Sequence, residues 1–372
     1  MQLRMSASRV ERRLAELIAC DTRNPGGDER ALATQLAAAL GGLGAEHVAV
    51  LPAAGHFSAF ARFGSKPPAL LINAHLDTVP INAGYTTEPF RLERRGRRLF
   101  GLGSADTKGA IAAVLEALAL RREAGEPLAG VAVLFSGDEE LGGASMRDFL
   151  ASGRGAGLHR ALVCEPTGCQ VGIRHRGVYA ARVSASSPGG HSSLADRLPN
   201  PLSALARAAV ALDDLGGRHR DTGPEGLRGL CMNVAALDGG KAFNIIPAAA
   251  ALTFSLRPPP GVALAPILDE VRGAVATATA PLATDWEPVA SNPAFATREP
   301  ASFGDLFGER GFVDLPFGTE AGQLVEAGID AVVIGPGRIE QAHAPDEYVE
   351  LDDLEAAVTL FDQILARAAW EA

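Results

Sequence analysis

A chain of 372 residues exceeds the ~250–300 residues at which single hydrophobic cores stop growing, which predicts two domains. A formal net charge of −10 argues against nucleic acid as a partner, because phosphate contacts need a basic face. No apolar run reaches the ~18–20 residues of a membrane helix.

In chain order, the segment through residue 20 interleaves Glu11 and Glu16 with Leu14, Ile18 and Ala19 at helical spacing. It reads as an amphipathic first helix rather than a targeting peptide, and the chain as cytoplasmic. ALLINA (69–74) predicts a strand, GAIAAVLEALALRREAGE (109–126) a helix, and AGVAVLF (129–135) a second strand. MRDFLAS (146–152) begins a helical stretch, and RALVCE (160–165) is a short strand. That alternation predicts the α/β class, a mostly parallel sheet with helices on both faces.

The pattern changes after about residue 171. GIRHRGVYAARVSASS (172–187) alternates as one half-exposed antiparallel strand does. The helix PLSALARAAVALDDLGG follows, then the strand candidates CMNVAALDGG and AAALTFSLRP, then the helix PILDEVRGAVATATA. These predict an inserted α+β domain of antiparallel sheet and two helices over 172–288, interrupting a discontinuous domain of 1–171 and 289–372. The α/β rhythm returns with the strand IDAVVIGPG (329–337) and a last helix, DDLEAAVTLFDQILARAAW.

The chemistry-bearing residues follow the apolar runs. In open α/β sheets the crevice outside the carboxyl ends of the strands is the binding place. His75 and Asp77 share a face at the end of LLINA, because side chains alternate with period two. Asp77 either orients that histidine or caps the following turn. GLGSADTKG (101–109) lacks the third glycine of GxGxxG and any GxxxxGK[ST], so a nucleotide loop rests on its glycines alone. Asp106 either bridges two cations or caps the helix beginning near Gly109.

Asp138, Glu139 and Glu140 end a buried strand and repel one another unless cations or protons compensate; the alternative is a solvated charged turn. One of those glutamates can bind metal while its neighbour serves as general base. Glu165 follows ALVC, and His343 lies beyond Gly335-Pro336-Gly337. His47, His56, His159 and His219 carry no role in this reading. No G-x-S-x-G elbow supports serine hydrolase chemistry. Cys20, Cys164, Cys169 and Cys231 are too scattered for a disulfide scaffold, and Cys164 with Cys169 lacks the second pair of a zinc knuckle, so all four read as idle thiols.

Taken together, DTRNP, HLDTVP, GLGSADTKG, SGDEE, CEPTG, PGGHSS, LRPPPG, GTEAGQ and GPGRIEQAHAPDEYVE resemble the dinuclear zinc aminoacylase and deacylase family over nearly the whole chain. The last two segments look most like its acetylornithine deacetylase branch, which has a relative acting on acetylcitrulline. The resemblance implies two zinc ions per chain, with cobalt a possible substitute. His75 and Glu165 would hold one ion, Glu140 and His343 the other, and Asp106 would bridge them. Glu139 matches the general base and Asp77 the clamp on the ligand histidine. The inserted domain matches the lid that also forms a homodimer interface, and His191 a histidine reaching the partner's site. Asn244 and Arg257 match substrate contacts.

Glu320 faces a cationic or urea side chain or is structural, and His175 with Arg176 either helps bind substrate or packs the strand surface. The implied activity is removal of the acetyl group from a small-molecule N-acyl amino acid, N-acetylornithine or N-acetylcitrulline, in arginine biosynthesis. Alternatives are desuccinylation of succinyl-diaminopimelate, a carboxypeptidase or dipeptidase activity, and a catalytically silent binding protein. Neither a nucleic acid nor a membrane is expected as a partner.

Overall fold

The computed structural model describes residues 2–308 and 310–368. The chain divides into two compact units: Met1–Ile173 with Thr297–Leu315 and Thr319–Ala372, and Arg174–Ala296 with Pro316–Gly318. Among the described residues no helix is long and apolar enough to cross a membrane, and all four cysteines are free thiols.

The sheet of the first unit runs His47–Ala53, His56–Phe63, Val131–Ser136, Leu70–His75, Arg160–Val163, Asp330–Val333, Val171–His175. Its four central strands are parallel, and the outer ones pair antiparallel. Every residue of Leu70–His75 and of Val131–Ser136 is buried, which requires cover on both faces and explains why these runs are continuously apolar rather than alternating. The register pairs His75 with Ser136 and Val163 with Val333. Because the four strands run the same way, the segments after His75, Ser136, Val163 and Val333 all leave from one edge of the sheet.

The helix Lys108–Glu123 is buried on almost every side, between Gln2–Ile18 and Leu351–Ala368. Its one fully buried acid, Glu116, is paired with Arg9 at 3.0 Å and Arg13 at 2.9 Å, as a charge in a core must be. The last helix is described to Ala368; the expected continuation through Trp370 lies outside the described residues.

Three parts of this unit went unread in the sequence. They are the helix Glu29–Gly42, the hairpin His47–Ala53/His56–Phe63 and a small sheet in which Tyr348–Glu350 pairs with Arg98–Phe100. The last matters for the site, since it brings the segment after His343 against the loop after Phe100.

The second unit is a four-stranded antiparallel sheet ordered Asn233–Gly239, Ala249–Leu256, Val178–Ser186, Thr284–Asn292. Leu205, Leu212, Val271, Val183, Leu252 and Phe254 form its core beneath the helices Pro201–Arg218 and Leu264–Thr279. Two expectations change here. The run 172–187 is two strands, Val171–His175 and Val178–Ser186, broken at Gly177, where an added Cβ would stand 2.8 Å from the Asn292 carbonyl oxygen. The expected limit at residue 288 falls inside the strand Thr284–Asn292. That strand carries Pro288 and a bulge between Pro288 and Ala290, and proline survives in a sheet chiefly at edges and bulges.

Candidate metal centre

His75 is the last residue of its strand and fully buried. Its Nδ1 lies 3.0 Å from the Asp77 carbonyl oxygen and its Nε2 2.9 Å from Asp106 Oδ1. The Asp77 carboxylate stands 3.4 Å from His75 Nδ1. It also accepts the backbone N–H groups of Glu139 and Glu140, each at 3.2 Å. Asp77 therefore orients the histidine and holds the acidic turn at once.

Asp106 is not the cap of the helix that follows, which starts at Lys108 after Thr107. Its loop is fixed from elsewhere. The buried Glu347 carboxylate accepts the N–H groups of Gly103, Ala105 and Asp106 at 2.8–3.0 Å, and Thr107 donates its hydroxyl to the His75 carbonyl at 2.8 Å. Glu347 was not among the residues singled out in the sequence; it is one more acid in APDEY, without a pattern to mark it.

The three acids after Ser136 separate into different jobs. Asp138 is structural, since its carboxylate accepts Ala144 N–H at 2.7 Å and Ser145 N–H at 2.8 Å. Glu139 and Glu140 lie in the single 3₁₀ turn that follows. Glu140 Oε1 is 2.9 Å from His343 Nε2, and that nitrogen is 3.3 Å from Asp106 Oδ2. Glu165 Oε2 approaches His75 Nε2 to 4.0 Å.

The two oxygens of Asp106 thus face different histidines, Oδ1 toward His75 and Oδ2 toward His343. Ligand-type atoms of His75, Asp106 and Glu140 lie within 4.8 Å of one another, a spacing that suits a metal ion with N and O donors.

The electrostatics follow from crowding acids out of water. Burial, with the charges of Asp106, Glu139 and Glu140, pushes Glu165 far above the usual carboxylate range. Burial does the same to Glu139, reinforced by Glu140 and Glu320, and raises Glu140 despite its bond to His343. His343 is raised to about 10 by Asp106 and Glu140. Burial opposes the charge on His75, yet its bonds to Asp106 and Asp77 still carry it well above an ordinary imidazole. Asp106, bonded by both histidines, stays below the usual range against the cost of its burial.

Glu320 is also in this unit, beneath the same sheet edge rather than on a solvent-facing wall. It is fully buried and accepts the Ser136 hydroxyl at 2.5 Å, and burial raises it to about 7.

The remaining candidates belong to the second unit. His191 is exposed, with Nδ1 2.8 Å from the Ser193 hydroxyl, in a two-residue strand paired with Ile245–Ile246 next to Asn244. Asn244 gives its carbonyl oxygen to Ser192 N–H at 3.0 Å, and Arg257 is exposed. His175 has no accessible surface; it packs on the Phe295 ring at 5.1 Å, and burial lowers it to about 4. Its environment is that of a core histidine. Arg176 donates to the Arg228 carbonyl.

Residues 71–367 match the model of peptidase family M20/M25/M40, and the chain belongs to that family, as a hydrolase of amide bonds. It is 34% identical to the N-acetyl-L-citrulline deacetylase of Xanthomonas campestris pv. campestris, over 95% of this chain and 96% of that one. It is 31% identical to the acetylornithine deacetylase of Myxococcus xanthus, over 82% and 80%. Among solved structures, an M20 family metallo-carboxypeptidase from Sulfolobus solfataricus superposes with a TM-score of 0.78 at 18% identity, covering 96% of this chain and 98% of that one. A dinuclear metal binding peptidase of the M20 family from Bacillus subtilis gives 0.71 at 14% identity, with 98% of each chain covered.

The raised groups set a pH dependence for protein stripped of divalent cations. Glu139, Glu140 and Glu165 favour the protonated form when folded, so their stabilisation is complete below the ordinary carboxylate pKa of ~4.3 and is lost as pH rises through the folded values. His75 and His343 stabilise below ~6.5 and lose that contribution as pH climbs toward the folded values, about 10 for His343. Asp106 acts oppositely but has finished titrating by pH 5. The melting temperature of the stripped protein is therefore expected to fall by several degrees from pH 5 to pH 8 in calorimetry. A flat or rising profile would contradict the charge arrangement.

Proposed function

We propose that this chain removes the acyl group from N-acyl amino acids, using two divalent cations held by His75, Asp106, Glu140, Glu165 and His343. The observation that carries the reading is the Asp106 carboxylate, which offers one oxygen to the His75 side and the other to the His343 side. His75 and Glu165 complete one donor set and Glu140 and His343 the other, leaving open coordination positions as catalytic sites require. The donors fit: carboxylate and imidazole suit zinc, with cobalt as an alternative. Bound there, the cations supply Lewis acidity that polarises an acyl oxygen and lowers the pKa of water.

The chain's own residues then have definite tasks. Glu139, beside that donor set and held by its N–H on Asp77, takes a proton from the attacking water. It returns that proton to the leaving amine as the C–N bond breaks, which the raised affinity of its carboxyl for protons favours. Asp77 fixes the ring of His75. Arg257 pairs with the substrate carboxylate by a two-pronged hydrogen bond, Asn244 adds a polar contact, and His191 donates to the developing oxyanion from the partner of a homodimer formed through the second unit.

Deacetylases among the relatives at 31–34% identity support N-acetylcitrulline and N-acetylornithine as substrates in a cytoplasmic route to arginine. Glu320, buried and bonded to Ser136, supports a structural task better than a contact with the substrate side chain.

Glu139→Ala is expected to keep the parent's cation content by elemental analysis while turnover drops about 10²–10⁴-fold; near-parental turnover would remove Glu139 as the general base. Substrate class is tested by assaying N-acetylcitrulline, N-acetylornithine, N-succinyl-diaminopimelate and a dipeptide with a free carboxyl end in parallel. The acetylated amino acids are expected to give the highest kcat/KM. Preference for the succinylated compound or the dipeptide would move the assignment to those activities, and inactivity on all four would favour a silent binding protein.

A further inference from the structure

Asn24 and Glu29 lie in the segment DTRNPGGDE, far from every residue given a task above. Both are buried. Glu29 Oε1 accepts Asn24 Nδ2 at 2.6 Å, His56 Nδ1 at 2.9 Å and the backbone N–H of Asp138 at 3.2 Å, while Oε2 accepts Phe57 N–H at 2.9 Å. Asn24 Nδ2 also donates to Asp77 Oδ2 at 2.7 Å. One neutral amide group thus joins two buried carboxylates, each taking one of its hydrogens, and adds no charge.

Those two carboxylates divide the turn between them. Glu29 takes the N–H of Asp138; Asp77 takes those of Glu139 and Glu140. Three consecutive backbone donors are therefore oriented by acids that Asn24 locks together. The turn needs such a hold, because Asp138 sits at φ +57°, a left-handed conformation costing of order 1–3 kcal/mol unless surroundings enforce it.

Gly137 corroborates the arrangement, since a Cβ there would stand 2.6 Å from Glu29 Oε2 and 2.7 Å from the Phe57 carbonyl oxygen. A simpler account, that Glu29 serves its own helix, does not match its bonds: the cap of Glu29–Gly42 is Asp28, which accepts Ala31 N–H.

We propose that Asn24 and Glu29 are positioning residues for the reaction, fixing the 137–140 turn and through it the carboxylate of Glu139. The proposal rests on the general-base reading of Glu139 given above. Glu29 makes no bond to the metal-type ligands, so its effect travels through the turn. This separates it from residues that hold cations: damage should appear in turnover and not in metal content.

The test uses the full-length protein loaded with zinc. Glu29→Gln keeps the shape but turns an N–H donor toward a neighbour that is itself a donor. On N-acetylcitrulline it is expected to lower kcat about 10–100-fold, with KM within about twofold. Zinc per chain stays at the parent level. Hydrogen exchange by mass spectrometry is expected to speed up at least about tenfold over residues 136–141 and to stay unchanged over the helix 108–123.

Asn24→Asp, which replaces the shared amide by a third carboxylate, guards against a folding failure of the first variant and should show the same split. Unchanged kcat with unchanged exchange, or loss of zinc in step with loss of turnover, would overturn the proposal. Should the parent hydrolyse no acylated amino acid, the functional reading fails, and unaltered exchange over 136–141 would still refute the hold on the turn.

Discussion

The structure of the first unit is organised around an electrostatic conflict. Asp77, Asp106, Glu139, Glu140, Glu165 and Glu320 converge on one crevice with His75 and His343, mostly out of water. Two like charges 4 Å apart repel by about 4 kcal/mol at an effective dielectric constant of 20, so several such pairs approach the whole stability of a typical domain, ~5–15 kcal/mol. The protein offsets part of this with two imidazoles and with backbone donors. The remaining excess of negative charge is what makes divalent cations the natural occupants.

The sheet creates the conflict and the small structural acids contain it. Parallel strands send four chain segments out of one edge, so distant parts of the sequence must meet there. Other carboxylates then act as scaffolding. Glu347 holds the loop bearing Asp106, Asp138 caps the helix Ala144–Ala151, and Glu29 with Asp77 holds the turn bearing Glu139 and Glu140. Acids that accept backbone N–H groups fix geometry, and acids turned away from such donors are left for chemistry.

How much of this could be read from the sequence depended on the physical signal. Continuous apolar runs marked the central strands, and the residues ending them, His75, Glu140 and Glu165, are those the structure brings together with Asp106 and His343. Alternation marked three strands of the second unit but not Thr284–Asn292, where Pro288 and a bulge break the period. The division of labour within Asp138-Glu139-Glu140 was invisible, because it is set by which carboxylate meets the N–H groups of residues 144 and 145. Asn24 and Glu29 gave no signal at all: their partners lie 53 and 109 residues away, and His56, given no role in the sequence, is one of Glu29's donors.

The central claim is that opposed oxygens of Asp106 share two cations. Anomalous diffraction at the zinc absorption edge, on crystals of the zinc-loaded protein, tests it most directly. The account predicts two peaks on either side of the Asp106 carboxylate, one against His75 and Glu165, the other against Glu140 and His343. A single peak, or zinc bound only elsewhere on the surface, would contradict it.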